Sequence, residues 1–287
     1  MDKPLIVGVD GSDPSLRALD WAVDEAVVHG VPLRVVHASR WEWYEGHEPS
    51  FGINRSSVQV LSDHIAAAAV ERALRRTTAV KVTSEVLPED PALALVRLST
   101  EAGAVVVGSR GRGELAELLL GSVSLSVAAH AAAPVIVVRG REENLPGGPR
   151  TVALGIDDPE EAAPAVEFAF REAQARNASL TAVHAWRCPA REIPDFPTTV
   201  HEEHQERAAA QVDAAVRDAA AAHPEVTVHR ETAEGHARTV LLGLARTADL
   251  LVVGARRRKG HIGMQLGPVN HAVLHHAQCP VAVVPHA

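Results

Sequence analysis

The chain is poor in several residue types that would otherwise narrow its function quickly. Its 287 residues include only two cysteines, Cys188 and Cys279, too few for a disulfide framework or a four-cysteine zinc site. One tyrosine, four tryptophans and four phenylalanines cannot furnish the aromatic platforms on which single-stranded bases stack. Basic residues are outnumbered 28 to 36, and the net charge of −8 divides into −5 up to residue 146 and −3 beyond it. Neither half therefore offers a basic arm to nucleic acid. No apolar run approaches the roughly 18 residues that would cross a membrane. The start, MDKPLIVGVDGS, has no charged segment followed by an apolar one, so no signal peptide is expected. These absences imply a cytoplasmic protein with neither membrane nor nucleic-acid partners.

What is present is apolar and repetitive. Hydrophobic residues make up 46% of the chain, with alanine and valine dominant, as suits helices packed closely on a valine-rich parallel sheet. The segment IVGVDGSDPSLRALDWAVDEA returns as VALGIDDPEEAAPAVEFAFREA, LRVVHA as LTAVHA, and HAAAPVIVV as HAQCPVAVV. The offset is 147 between Asp10 and Asp157 and between His37 and His184. It is 146 between Gly108 and Gly254, Gly121 and Gly267, and Pro134 and Pro280. A register held to one residue over some 130 residues is a tandem duplication. Domains are expected at 1–140 and 151–287, joined by the polar, Pro- and Gly-rich linker 141–150.

Each half alternates strand-like and helix-like segments. In the first, apolar runs at 5–9, 33–38, 81–86, 104–108 and 135–138 read as buried strands, with helices at 14–29, 57–76, 91–101 and 122–131 between them. Asp13 is the expected N-cap of the first helix, with Pro14 at its first position. The second half repeats this with strands near 151–156, 180–185, 226–231, 249–254 and 281–284. Five strands separated by helices mean a parallel sheet with right-handed crossovers. The fold class is α/β, twice over.

The sharpest local feature is GSRGRGELAELLLGSVS, residues 108–124. Gly108 ends the fourth strand, Gly111 follows, and Gly121-Ser122 opens a helix. A phosphate reaches the backbone closely only where no Cβ intervenes, and a helix start presents free N–H groups and the positive end of a dipole. Ser122 can cap that helix or donate its hydroxyl to a phosphate. The same stretch also reads as a ligand-free strand-to-helix turn. It is neither a Walker loop, since Gly-Lys-Ser/Thr is missing, nor the dinucleotide fingerprint, which belongs after the first strand.

The pattern G-x2-G-x9-G-[ST] after a fourth strand, VGVDGS on the first, and HAAAPVIVV at the end together resemble the universal stress protein family, in its tandem-domain actinobacterial form. The resemblance covers the whole chain except the linker. It implies the sheet order 3-2-1-4-5 in each domain, with a crevice between strands one and four where open α/β sheets bind ligands. The last strands, 135–139 and 281–285, would leave unpaired backbone groups at a sheet edge, so the two domains are expected to pack through them as a pseudo-twofold dimer; the resemblance implies further homodimerisation. It also implies an adenine nucleotide, ATP with or without Mg, held by residues that match the family motif. Asp10, with Gly8 beside it, would contact the nucleoside; Ala38, Val107 and Gly108 would line the adenine end. Arg110, Gly111, Gly113, Gly121, Ser122, Val123 and Ser124 would meet phosphate. Asp10 in an Asp-Gly pair also reads as a turn former, and Arg110 and Arg112 as solvated charge. The implied function is a nucleotide-responsive regulatory module of the stress response. Alternatives are a weak ATPase or nucleotidyl-transferring enzyme, a ligand-free structural dimeriser, and a cyclic-nucleotide binder. No nucleophile–base–orienter set and no G-x-S-x-G elbow is visible, so a turnover enzyme is not expected.

The second copy departs from the pattern. In GARRRKGHIGMQLGPVN, Gly254 and Gly267 are kept, Arg257 stands for Gly111 and Pro268 for Ser122. Asp157 keeps the nucleoside end, whereas Pro268 removes an N–H and a hydroxyl from the phosphate end. The basic run 256–259 reads either as a salt-sensitive anion holder or as a solvated loop. One nucleotide per chain, in the first half, is expected.

His37 and His184 end the second strands and read as packed, hydrogen-bonded histidines. His201 with His204, and His271 with His275, have helical spacing suited to a metal but lack an evident third ligand. Trp41, Trp43 and Tyr44 could lie over an adenine or pack locally. Both cysteines precede proline and read as inert buried thiols.

Overall fold

A computed structural model describes residues 3–39, 55–110, 120–140, 150–187, 198–255 and 266–286. The chain divides into two units, Met1–Arg139 and Gly140–Ala287. Among the described residues no helix is long and apolar enough to cross a membrane.

The first unit runs β1 (Leu5–Gly8), α1 (Asp13–His29), β2 (Leu33–Ala38), α2 (Arg55–Arg76), β3 (Val82–Leu87), α3 (Pro91–Leu98), β4 (Ala104–Gly108), α4 (Ser122–His130) and β5 (Val135–Val138). Its strands are parallel and ordered β3-β2-β1-β4-β5. The central strands are covered on both faces: Leu5, Ile6, Val7, Val105 and Val106 are at most 1% exposed. That burial is why they read as continuous rather than alternating apolar runs. β3, at the outer edge, carries Thr83, Ser84 and Glu85 with partial exposure, polar groups that discourage strand addition there.

Helix α1 buries Ala18, Leu19, Ala22, Val23 and Ala26, all fully, at the spacing that puts one stripe against the sheet. It ends at Gly30, whose left-handed backbone (φ 64°) lets its N–H and that of Val31 satisfy the last carbonyls. Its start differs from the sequence expectation. Ser12, not Asp13, is the N-cap, its side chain accepting the Ser15 N–H, and Pro14 follows at the second helical position. On the outer face two forked ion pairs tie α1 to α2. Arg72 meets Asp20 at 2.8 and 2.6 Å, and Arg76 meets Asp24 with two contacts of 2.6 Å. These bonds raise both guanidinium pKa values above the ordinary one.

The second unit repeats the plan: β6 (Thr151–Ile156), α5 (Ala163–Arg176), β7 (Ser179–Trp186), α6 (Thr198–Ala222), β8 (Val228–Glu234), α7 (Ala237–Leu244), β9 (Leu250–Ala255), α8 (Pro268–His276) and β10 (Val281–Pro285). The order is β8-β7-β6-β9-β10, all parallel. The eighth strand lies two residues later than the sequence pattern placed it. The cap that ends α1 is rebuilt here with a different residue. Asn177, at the position of Gly30, takes the same left-handed turn (φ 50°), which asparagine tolerates better than other side chains.

Strand order fixes where a ligand can lie. From β1 the chain crosses through α1 to β2 on one side, whereas β4 lies on the other. The loops leaving the carboxyl ends of β1 and β4 therefore part and leave a crevice between them. β6 and β9 create the same crevice in the second unit.

Candidate functional site

The crevice of the first unit is a cavity of about 520 Å³, within the usual range for small-ligand sites. Every described residue that the sequence singled out in this half lines it: Gly8, Asp10, Ala38, Val107, Gly108, Arg110, Gly121, Ser122, Val123 and Ser124. Gly111, Arg112 and Gly113 lie outside the described residues, as do Trp41, Trp43, Tyr44, Cys188 and the run 256–259.

The β1–α1 turn lines the cavity with Val9, Asp10 and Ser15. The Asp10 carboxylate accepts the Ser12 N–H at 3.0 Å and the Ser12 hydroxyl, while the Ser15 hydroxyl donates to the Ser12 carbonyl at 2.9 Å. Asp10 thus has the turn-forming role that its pairing with Gly11 indicated, and it also faces the cavity. The start of α4 lines it too. Gly121 is its N-cap, with extended backbone and no side-chain cap bond. The first-turn N–H groups of Ser122, Val123 and Ser124 have no acceptor within the helix. Arg110 lines the cavity beside them. The lining thus combines a carboxylate, a cation, a helix N-terminus and apolar side chains.

Two glycines of the site owe their identity to packing as well. A Cβ on Gly108 would stand 2.6 Å from the Pro14 carbonyl oxygen, and one on Gly8 would stand 2.8 Å from a Leu95 methyl. Ser124, expected at the phosphate, spends its hydroxyl inside the fold on the Gly108 carbonyl, at 2.6 Å. What it offers the cavity is backbone. Val9, Ser15, Val36, Pro91, Leu95 and Leu120 also line the cavity, none of them singled out by the sequence. Val36 was within reach, lying two residues from Ala38 and so on the same face of β2. Pro91 and Leu95 come from α3, and only the fold brings them in.

The second unit has a cavity of about 720 Å³ at its own crevice, lined among others by Asp157, Gly254 and Gly267. Its start helix differs. Ser12 is replaced in register by Pro159, which offers no capping oxygen. Helix α5 begins at Ala163 without a side-chain cap, three residues later than α1 in register. The carbonyl that crowds Gly108 has no counterpart there. Gly254 instead faces the His286 ring, with a would-be Cβ 2.6 Å from Nε2. Pro268 opens α8 behind Gly267. Asn270, in the place of Ser124, donates its amide to the Gly254 carbonyl at 3.0 Å.

His37 and His184 are packed, hydrogen-bonded groups. His37, 6% exposed, places Nδ1 2.8 Å from the Val9 carbonyl, and His184 does the same to Ile156 at 2.9 Å. His201 lies 3.3 Å from a Glu234 oxygen, edge-on to Trp186, and His204 stacks on the same indole. His271 stacks on His275. Cys279 is buried.

A family model described as the universal stress protein family matches residues 1–139 and again 149–285. A universal stress protein of Mycolicibacterium smegmatis is 34% identical over 290 residues, 98% of this chain and 96% of that one. One of Mycobacterium tuberculosis is 34% identical over 304 residues, 97% and 94% of the two chains. The crystal structure of a universal stress protein from Archaeoglobus fulgidus superimposes with a TM-score of 0.70 at 20% identity, covering 99% and 98%; at that identity it speaks for the fold alone. The two halves each match the family and relatives align along nearly the full length, as the internal register requires: the chain belongs to the universal stress protein family.

Proposed function

We propose that the first cavity binds an adenine nucleotide, ATP with or without Mg, and that the protein is a cytoplasmic regulatory module of the stress response rather than a turnover enzyme. The observation that carries this reading is the mixed lining of the cavity. Asp10 offers a ribose or base an acceptor. The α4 start and Arg110 supply N–H groups, dipole and charge for phosphates. Apolar Val36, Leu95 and Val107 suit a planar base. In this reading occupancy rather than hydrolysis is the output. To act, the ligand must bind one conformation or assembly of the protein better than another.

Titration calorimetry with ATP, ADP, cyclic AMP and GTP, with and without Mg, tests the ligand. Sedimentation with and without ATP tests the coupling to assembly. One ATP per chain, bound more tightly than GTP, is expected. A purified protein that yields no nucleotide on acid extraction and no heat with any of the four would overturn the reading. Phosphate release well above the spontaneous rate would convert it into an enzyme.

A further inference from the structure

We infer that the outer face of α2 is a self-association surface, on which a second copy of this chain docks its own α2 in the antiparallel direction.

The inner face of α2 is ordinary core: Ile65, Ala66, Ala69 and Ala73 are at most 8% exposed. On the opposite side of the helix Val60 is 65% exposed, and Leu61 and Leu74 are 48% exposed each. Among the described residues these are three of the five exposed large apolar side chains. With exposed Ala67 and Ala68 they form one stripe at helical spacing. Apolar side chains gathered in this way mark an interaction surface, whereas single scattered ones do not. The second unit provides an internal control. Helix α6 packs on β7 and β8 as α2 packs on β2 and β3. Its described exposed positions nevertheless include Glu202, Glu203, Glu206, Arg207, Asp213 and Arg217, and no large apolar side chain. The fold therefore does not require an apolar surface at this place.

The stripe is complementary to itself. Val60 and Leu74 each lie seven residues from Ala67. Two copies of α2 laid antiparallel about Ala67 bring Val60 of each opposite the partner's Leu74. His64 then comes within one residue's rise, about 1.5 Å, of the level of the partner's Glu71. An imidazole and a carboxylate thus meet twice across the twofold axis. A parallel arrangement would instead set His64 on the partner's His64 and Glu71 on the partner's Glu71. The alanines at the centre let the two helices approach closely. Within its own chain Glu71 contacts Arg75 at 3.2 Å, but the two side chains are 69% and 68% exposed. So exposed a pair is worth little, and the carboxylate is available to a partner. From Val60 to Arg75 the stripe is about 24 Å long, which suits an interface at the small end of the specific range. The dimer is therefore a reversible one, with a dissociation constant on the order of 10–100 µM. It uses no residue of either cavity, so its test is independent of the ligand.

Sedimentation velocity of the full, nucleotide-free chain, from about 5 to 500 µM at a salt concentration that screens long-range repulsion, should show monomer and dimer with no larger species. Leu74→Glu and, separately, Val60→Glu should each weaken the dimer at least tenfold. Circular dichroism should not change, because both side chains face solvent in the monomer. Glu71→Lys should weaken the dimer as well, and adding His64→Glu should restore it. That swap rebuilds the pair between copies while the contact of residue 71 with Arg75 stays broken, so a role within one chain would show no rescue. Ala214→Glu, at an exposed position of α6, should change nothing. A protein that stays monomeric throughout, or a dimer indifferent to both Val60→Glu and Leu74→Glu, overturns the inference. Growth beyond the dimer or sensitivity to Ala214→Glu also overturns it, since α2 would then meet the α6 of another copy in an open-ended contact. Failure of His64→Glu to rescue Glu71→Lys overturns the antiparallel pairing.

Discussion

The Ser124 hydroxyl donates to the carbonyl of Gly108 at 2.6 Å, locking the first turn of α4 to the end of β4. Both residues border the candidate ligand cavity, so the bond holds that wall in shape. The second unit makes the same tie with different chemistry, Asn270 to Gly254 at 3.0 Å. Ser124 and Asn270 are 5% and 7% exposed, which leaves little water to replace either bond. Ser124→Ala and Asn270→Ala should each cost about 1–3 kcal/mol, the penalty for a buried acceptor left unpaired. Urea unfolding followed by circular dichroism checks this. Losses below a few tenths of a kcal/mol in both would show the tie to be dispensable.

The two strand-end glycines should respond unequally to a methyl group. On Gly108 the new Cβ meets backbone, the Pro14 carbonyl, at 2.6 Å, while on Gly254 it meets the His286 imidazole. Backbone inside a helix start cannot step aside, but an imidazole at the end of a side chain can. Gly108→Ala is expected to cost about 1–3 kcal/mol, as overpacking does, and to weaken ATP binding because the β1–α1 turn must shift. Gly254→Ala should cost clearly less. Equal melting temperatures for the two variants would contradict the geometry.

Ser122→Pro transplants the second unit's residue into the first. Proline is compatible with the first position of a helix, so the fold and melting temperature should hold. An N–H and a hydroxyl are lost together, and one charge-assisted bond of about 1.5–3 kcal/mol corresponds to roughly 10- to 100-fold in affinity. ATP titration of the variant measures that loss directly. An unchanged dissociation constant would mean that the α4 start does not hold phosphate.

The paired forks between α1 and α2 should contribute modestly. The Arg72 and Arg76 side chains are 43% and 42% exposed, so solvent screens both pairs. A double-mutant cycle on Asp20 and Arg72 should give about 0.2–1 kcal/mol, shrinking as salt rises. A coupling that is large and indifferent to salt would point to a more buried environment than the structure has.

Much of this protein is determined by sequence alone. The 147- and 146-residue offsets revealed the duplication, and unbroken apolar runs such as LIVGV marked strands covered on both faces. Those signals are local or periodic, and burial on two faces leaves no room for polar alternation. The candidate residues of the first cavity were legible too, since glycines and short polar residues at fixed spacing around strand ends reflect steric demands written residue by residue. Other features depended on the tertiary structure. That Ser12 rather than Asp13 caps α1 depends on which oxygen reaches the Ser15 N–H. That Ser124 turns its hydroxyl to a carbonyl rather than a ligand depends on β4 lying beneath α4. The entry of Pro91 and Leu95 into the first cavity, and of His286 into the second, depends on elements distant in sequence meeting at one sheet crevice. Glu161 and Asp158 are ordinary acidic residues along the chain, and the fold brings both to the wall of the second cavity, because position in space, not residue type, decides what a ligand meets.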